Sequence, residues 1–238
     1  MNKSLWSLLI LLLAIAYLFW KPLCLHEEFA FRDAAHFYPP QWKWACSEWA
    51  SGRIPLWNPL LNLGEPHLAD NTSSVFYPGK LIFALPFEFQ RLYNVFLVGH
   101  VVLAGLTTWW LARSWNLSTV AASIAAISYP LSGSILFQYC NAPFLIGAAW
   151  LPLAVMLTWR LLEQPCFKRC AWLSMVLSLM ILGGDAQTVY HVGLLMLLLA
   201  WIKWRSRKNE TSNRSRIGHN SGGRNSWRLQ LRMRCEPA

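Results

Sequence analysis

Long apolar runs, separated by short polar connections, indicate a chain of membrane-spanning helices. The first run extends from Leu5 to Trp20, and it reaches Leu25 if Lys21 extends its ammonium to the surface. About 21 helical residues span about 31 Å, enough to cross the hydrocarbon core of a bilayer. A cleaved signal peptide, with Lys3 before the apolar core and Ala14-Ile15-Ala16 as the cleavage site, is the alternative. Because aromatic residues continue past that site, we favour an uncleaved first helix.

Five further segments have the composition of spans: Val95–Ala112, Leu117–Phe137, Pro143–Trp159, Cys170–Leu182 and Thr188–Ile202. Pro130 and Pro152 lie inside two of them, which membrane helices tolerate when neighbours satisfy the freed carbonyls. The last two segments are shorter and are joined by the turn Gly183–Gln187. They form either a helical hairpin or one span with a partly inserted segment. The pattern predicts an all-α membrane protein with about six transmembrane helices.

The distribution of basic residues predicts the orientation of these helices. The connections after the second, fourth and sixth spans contain the following cations: Arg113, Arg160, Lys168, Arg169, Lys203, Arg205, Arg207 and Lys208. The connections near Asn141 and Asp185 contain no Lys or Arg. We expect a multi-pass protein of the cell inner (plasma) membrane. The positive-inside rule then places both termini in the cytoplasm. The predicted units are a first helix (1–25), a large extracytoplasmic loop (26–92), a helical membrane region (93–203) and a tail (204–238).

The composition agrees with membrane insertion and locates the charge. Hydrophobic residues make up 55% of the chain and charged residues 13%, against about 25% charged in soluble domains. Of the net charge of +10, residues 1–202 contribute +2 and residues 203–238 contribute +8. A basic segment beside a membrane helix is attracted to anionic lipid, so membrane lipids are the expected partners and nucleic acid is not. From about Asn209 the composition predicts disorder, and we expect a truncated or frame-shifted product of a longer gene.

The six cysteines predict no disulfide framework. Cys166 and Cys170 form a C-x3-C pair without the second pair or histidine cluster that a zinc site needs. Cys24 and Cys46 would both face the oxidising side, so a disulfide between them is possible but has no further support.

The loop contains seven of the nine acidic residues found in residues 1–202. For most of them, solvation of a water-facing loop is sufficient explanation. Asp33, in the stretch FRDAAHFYPP, differs because it closely follows the first span, and helical spacing places His36 beside it. A carboxylate there could act as a base toward a substrate hydroxyl or hold a divalent metal. Further along, Trp57 and Tyr77 offer flat apolar faces suited to a sugar ring or to the membrane interface.

The order of short motifs in the loop resembles that of the YfhO-type bacterial multi-pass membrane proteins. The matching residues are Asp33, Tyr38-Pro39, Gly52, Pro55-Leu56-Trp57-Asn58-Pro59, Gly64, Pro66, Leu68-Ala69 and Phe76-Tyr77-Pro78, followed by Ser132-Gly133, Trp150-Leu151-Pro152-Leu153 and Gly183-Gly184-Asp185-Ala186-Gln187. The resemblance covers roughly residues 5–203. Family members are several times longer and have more spans and an outer domain.

This family is similar to the GT-C superfamily of membrane glycosyltransferases, which use a polyprenyl-phosphate-linked sugar on the outer side of the membrane. The resemblance implies that Asp33 is the catalytic base or metal ligand and that Gly52–Tyr77 forms part of the wall around a sugar. The substrate contacts it implies are His36, Trp57, Asn58, Glu65, Asp70, Tyr77 and Asp185. A non-catalytic membrane protein (a transport component or a scaffold) and a truncated, inactive remnant are the alternatives. Asp185 could also be a helix cap.

Overall fold

The computed structural model describes residues 3–25 and 27–220, and in this part of the chain the regular structure is helical, with one isolated β-bridge. Ten α-helices occur in chain order: α1 Lys3–Leu18, α2 Trp20–Cys24, α3 Asp33–His36, α4 Tyr38–Ala50, α5 Phe89–Ser114, α6 Thr119–Ser128, α7 Gly133–Leu136, α8 Ala142–Glu163, α9 Phe167–Leu182 and α10 Ala186–Asn220. Four 3₁₀ helices lie between them: His67–Ala69, Asn71–Ser73, Pro78–Ala84 and Phe137–Cys140. The all-α prediction is confirmed for these residues.

Three helices in the described ranges are long and apolar enough to cross a membrane: α5, α8 and the part of α10 from Ala186 to Ser206. The pair Thr119–Ser128 and Gly133–Cys140, bent by 45°, would make a fourth if it is one span. The break between the two helices contains Pro130, whose missing N–H and ring disfavour helix continuation. α1 and α9 have 16 residues each, about 24 Å of helix. The apolar helices are compatible with membrane insertion, and six spans remain a prediction.

α5 is the central helix, with its most extensive contacts to α8 and further contacts to α6 and α1. Pro152 lies inside α8 and cannot donate to Ala148 O, its partner four residues earlier. The Tyr129 hydroxyl donates to that carbonyl at 2.9 Å instead, and Thr107 Oγ1 donates to the adjacent Ala149 O at 2.8 Å. The Tyr129 side chain, from a neighbouring segment, therefore satisfies the carbonyl that Pro152 frees, as the sequence predicts for a tolerated proline.

Two boundaries differ from the predicted ones. The first span is interrupted at Phe19, which separates α1 from α2. α10 continues to Asn220, so residues 209–220 are helical where the composition predicted disorder. The rest of the predicted tail lies outside the described residues. Cys24 and Cys46 are both free thiols, so the disulfide considered between them is not formed.

The loop between α2 and α5 folds onto the helices around an aromatic core. Trp42 of α4 is fully buried. Its ring contacts the aromatic rings of Tyr38, Phe83, Tyr93 and Phe96 at centroid distances of 5.4–6.1 Å. Because Tyr93 and Phe96 belong to α5, this core fixes the loop against one end of the helix bundle, which we call the loop end.

Candidate functional site

The site candidates lie at the loop end, where the loop meets both short connections between helices. The Tyr38 hydroxyl donates to Asn141 Oδ1 at 2.6 Å, immediately before α8. Ser74 Oγ donates to Gly183 O at 2.8 Å and Asn71 Nδ2 to Gly184 O at 2.6 Å, in the turn between α9 and α10. These bonds join residues more than 100 positions apart. The loop, the Asn141 connection and the Gly183–Asp185 turn therefore form one polar surface.

Asp33 is the first residue of α3, and its side chain is exposed. The preceding residue, Arg32, has φ 54° and ψ −130°, a backbone conformation that strongly favours glycine. Non-glycine residues persist in such conformations only where the surroundings hold them, and they cluster at functional sites. Arg32 therefore sets the position of Asp33 at some cost in backbone energy.

Asp33 and Asp70 both act electrostatically on Tyr38. Burial raises the pKa of the Tyr38 hydroxyl, and the negative charges of Asp33 and Asp70 raise it further. Tyr38 thus remains a neutral hydroxyl that donates to Asn141, with two carboxylates in electrostatic range. The sequence predicted both acids as site residues, whereas the hydrogen-bonding roles of Tyr38 and Asn141 were not predicted.

His36 ends α3 and is exposed, so it lies near Asp33 along the chain. Within residues 3–25 and 27–220, no group of three His, Cys, Asp or Glu side chains could hold a metal ion. A divalent metal at Asp33 therefore stays a prediction, and the described residues offer no set of further ligands for it. Asp70 is partly buried, and its carboxylate accepts from Thr72 N at 2.9 Å and from Thr72 Oγ1 at 2.8 Å.

Beneath Asp70, two basic side chains are held in apolar surroundings. The Lys80 ammonium lies 3.5 Å from the centroid of the Trp42 ring and donates to Ser73 O. Burial lowers the pKa of Lys80 well below its ordinary value. His67 is fully buried, the edge of Trp44 meets its ring, and neither ring nitrogen has a hydrogen-bond partner. Burial, and then the charge of Lys80, lower the pKa of His67.

The Lys80 and His67 environment was not predicted, because the loop was expected to be solvated. Trp42, the aromatic residue that covers the Lys80 ammonium, comes from α4 and precedes Lys80 by nearly 40 positions. The stretch Phe76-Tyr77-Pro78-Gly79-Lys80 does place a lysine directly after aromatic and turn residues. That pattern is the one local signal that could have suggested burial.

Asp185 is fully buried in the turn before α10. Its Oδ1 accepts from Thr188 N at 2.8 Å, which is the geometry of a helix N-cap. Its Oδ2 has no hydrogen-bond partner and lies against Gly147 of α8, where a Cβ atom would overlap it. Burial raises the pKa of Asp185 above its ordinary value. The cap interpretation is confirmed for one oxygen, and the other oxygen remains an unpartnered buried acceptor.

Tyr77 is buried and links the loop to two helices. The Trp150 Nε1 hydrogen is donated to the Tyr77 hydroxyl at 3.0 Å, and that hydroxyl lies 2.8 Å from His100 Nε2. His100 Nδ1 lies 2.7 Å from Phe96 O, which can only accept, so Nδ1 bears the hydrogen in the neutral ring. Nε2 then accepts from Tyr77. His100 therefore joins the loop to α5, with Nε2 bonded to Tyr77 and Nδ1 bonded within its own helix.

Asn58 and Glu65 close a small hairpin in the loop. Their backbones exchange two hydrogen bonds of 2.9 Å, and Asn58 Oδ1 accepts from Leu60 N at 3.0 Å. Glu65 Oε2 accepts from Asn62 Nδ2 at 2.9 Å. Gly64 has φ 109°, and a Cβ there would meet the Trp57 ring at 2.8 Å. Trp57 is 57% exposed, so part of its ring remains available to a ligand. Asn58, in contrast, is buried.

A cavity of about 370 Å³ also opens at the loop end. Its lining residues are Leu18, Phe19, Lys21, Pro22, Glu27, Phe29, Leu136 and Tyr139. Lys21 Nζ and a Glu27 carboxylate oxygen are 3.6 Å apart, and both side chains are about half exposed. The cavity thus combines an apolar wall with a cation that solvent can reach.

Comparison of the chain with family models, curated proteins and solved structures finds no significant match in any of the three.

Proposed function

We propose that the chain is a multi-pass membrane protein whose loop end forms part of a glycosyltransferase site on the outer face of the membrane. The donor would be a sugar linked to a polyprenyl phosphate, as in the GT-C superfamily, to which the YfhO-type proteins that the sequence resembles are similar. The observation that carries the proposal is the exposed Asp33 carboxylate, which follows a strained residue and shares the surroundings of Tyr38 with Asp70.

Asp33 is assigned the role of general base. Its carboxylate takes the proton of an acceptor hydroxyl, and the acceptor oxygen forms a bond to the anomeric carbon of the sugar. The bond from that carbon to the phosphate oxygen breaks, and polyprenyl phosphate leaves with the electron pair. His36, Trp57, Glu65 and Asp70 are the predicted substrate contacts that are at least partly exposed.

The cavity beside Lys21 supports the proposed donor class. Its apolar walls suit an isoprenoid chain, and the Lys21 ammonium suits the phosphate. Glu27 competes for that ammonium, but at 3.6 Å the pair is loose and half exposed, which makes it weak.

The helix directions support the proposed topology of six spans. α5, α8 and α10 begin at the loop end, and α1, the α6–Cys140 segment and α9 end there. Six segments therefore alternate in direction between the two ends of the bundle. Among the short connections, the basic residues lie at the opposite end, which under the positive-inside rule would be cytoplasmic.

The test uses membranes that contain the full chain and a set of labelled polyprenyl-phosphate sugars. We expect Asp33→Asn to lower sugar transfer by about 100-fold or more, the usual contribution of a positioned base. Glu28→Gln, which removes another exposed acid of the same loop, is the matched control and should transfer as the wild type does.

A second measurement separates binding from chemistry. A photoreactive polyprenyl phosphate should label wild type and Asp33→Asn equally, because Asp33 does not line the cavity beside Lys21. Transfer retained in Asp33→Asn would remove Asp33 from the mechanism. Labelling without transfer by the wild-type chain would contradict the enzyme proposal and favour the non-catalytic alternative.

A further inference from the structure

The end of the bundle opposite the loop contains a second cavity, of about 350 Å³. It lies between the C-terminal ends of α5 and α8, and its lining residues are Trp110, Arg113, Ser114, Met156 and Arg160. Two arginines from different helices thus border one concave site. None of these residues belongs to the proposed glycosyltransferase site.

The positive charge of this cavity is not neutralised within the described part of the chain. Arg113 Nη1 donates to Leu117 O at 2.6 Å, which occupies one of its five N–H groups. Arg160 is exposed, and its guanidinium makes no hydrogen bond or ion pair among the described residues. Glu163 follows one turn later on α8, but it is also exposed and forms no recorded ion pair with Arg160.

Helix polarity alone explains only part of this arrangement. Arginines near helix C-termini interact favourably with the partial negative charge of the last carbonyls. That effect requires neither a cavity nor the convergence of side chains from two helices. Two guanidinium groups on either side of a cavity are, in contrast, suited to a phosphate, which accepts paired N–H bonds.

Tryptophans place this cavity at the level of a membrane–water interface. Trp110, which lines it, and Trp115, which ends α5, are 47% and 48% exposed. The Lys203 ammonium lies 5.2 Å from the centroid of the Trp159 ring, so α10 adds a cation and α8 a tryptophan at the same end. Exposed Trp beside Lys and Arg is typical of the headgroup region.

We propose that this cavity binds the phosphate of an anionic lipid headgroup, with Arg113 and Arg160 as its two ligands. Basic pockets between membrane helices on the cytoplasmic side are known to accept acidic headgroups. A free phosphate ester would satisfy the same arginines, and the experiment distinguishes the two sources.

The test is native mass spectrometry of the purified full chain with phosphatidylglycerol or with phosphatidylcholine of the same acyl chains. We expect wild type to retain phosphatidylglycerol preferentially and Arg113→Gln/Arg160→Gln to lower its apparent affinity about tenfold. Lys168→Gln removes one exposed cation at the same end outside the cavity, and it should change the affinity less than twofold.

A charge-neutral variant guards against non-specific attraction or misfolding. Ser114→Phe places a ring in the cavity without altering the charge, so it should also reduce retention of phosphatidylglycerol. Competition by glycerol phosphate at millimolar concentration would identify a free phosphate ester as a sufficient ligand, whereas no competition would show that the lipid is required. Equal losses from Lys168→Gln and from the double arginine variant, or equal binding of both lipids, would overturn the proposal.

Discussion

The two ends of the bundle satisfy their polar groups in different ways. At the loop end, Tyr38, Asn71 and Ser74 hydrogen-bond to positions more than 100 residues away, and Asp185 is completely buried. At the opposite end, Arg113 and Arg169 donate to carbonyls at most nine residues away; Arg113 is exposed and Arg169 is partly exposed. The polar groups of the loop end are therefore satisfied by tertiary contacts, whereas those of the opposite end bond to residues nearby in the sequence. Substitutions should reduce stability mainly at the loop end.

The largest effect is expected for Gly147→Ala. The new Cβ would overlap Asp185 Oδ2, so either α8 or the turn before α10 must move. Movement of the turn would also break the bonds of Gly183 and Gly184 to the loop. Overpacking of this kind costs about 3 kcal/mol, which should lower the melting temperature in detergent by about 6 °C or more.

Gly99→Ala is the control for Gly147→Ala. Gly99 also lies within a long apolar helix, but a Cβ there would meet no atom within 4 Å. We expect this variant to be neutral or to gain about 0.4–1 kcal/mol through reduced freedom of the unfolded chain. Equal melting temperatures for the two variants would contradict the tight contact between α8 and the Asp185 turn.

A smaller effect is expected for Tyr77→Phe, which removes the hydroxyl between Trp150 and His100. Trp150 Nε1 and His100 Nε2 would both lose their hydrogen-bond partner in a buried environment. An unsatisfied buried group costs about 1–3 kcal/mol. Tyr17→Phe removes a hydroxyl from a residue that is 84% exposed and should leave the unfolding free energy unchanged. Thermal unfolding of both variants measures the difference. An unchanged unfolding free energy for Tyr77→Phe would show that water replaces the hydroxyl.

Hydrophobic patterns predicted the long helices but not the interior of the loop. α5 and α8 contain the predicted runs Val95–Ala112 and Pro143–Trp159, because each run is apolar over a length that a bilayer requires. The sequence also predicted that a neighbouring segment would satisfy the carbonyl freed by Pro152, but not that the donor would be Tyr129. Such features depend on composition along one segment, which is what a sequence displays directly.

Burial within the loop depends on residues that are distant in sequence. Lys80 is covered by Trp42, and Asp185 is covered by α8 at Gly147. A polar residue in a polar stretch is expected to be solvated unless its remote neighbours are known. For the same reason, Tyr77 was predicted to contact a ligand, whereas its hydroxyl is occupied by Trp150 and His100. The exposure of Asp33 could be inferred from the sequence because its position after the first span is itself a local property, whereas its role in catalysis stays a prediction.

Asp185→Asn tests, through the pH dependence of stability, whether the unpartnered Asp185 oxygen at the loop end is buried away from water. Burial raises the pKa of Asp185 above 3.8. The folded protein therefore holds this proton more tightly than the unfolded chain. The resulting stabilisation is fully present below pH 3.8 and is lost as pH rises through the raised pKa. The asparagine variant does not titrate and retains an acceptor for Thr188 N, so it should gain stability relative to wild type as pH rises.

Asp185→Ala is the companion variant for this pH series. It removes the cap from α10 and, because alanine does not titrate either, should stay about 1 kcal/mol less stable than Asp185→Asn throughout the series. Melting temperatures between pH 4 and pH 8 give the comparison. A difference between wild type and Asp185→Asn that does not change with pH would mean that water reaches Oδ2, and that the carboxylate is not held in a dry site.

The smallest effect is expected at the opposite end, for Arg160→Gln in detergent without added lipid. The Arg160 side chain is exposed and makes no recorded interaction within the described residues, so the unfolding free energy should change by less than about 0.5 kcal/mol. Arg169→Gln should cost more, about 1 kcal/mol, because Arg169 donates to Arg160 O, Gln164 O and Gln164 Oε1 and so holds the connection between α8 and α9. Thermal unfolding of the two variants side by side measures this difference within one end of the bundle. A loss for Arg160→Gln as large as that for Gly147→Ala would show that this end also depends on tertiary contacts, since a purely local cation cannot contribute that much.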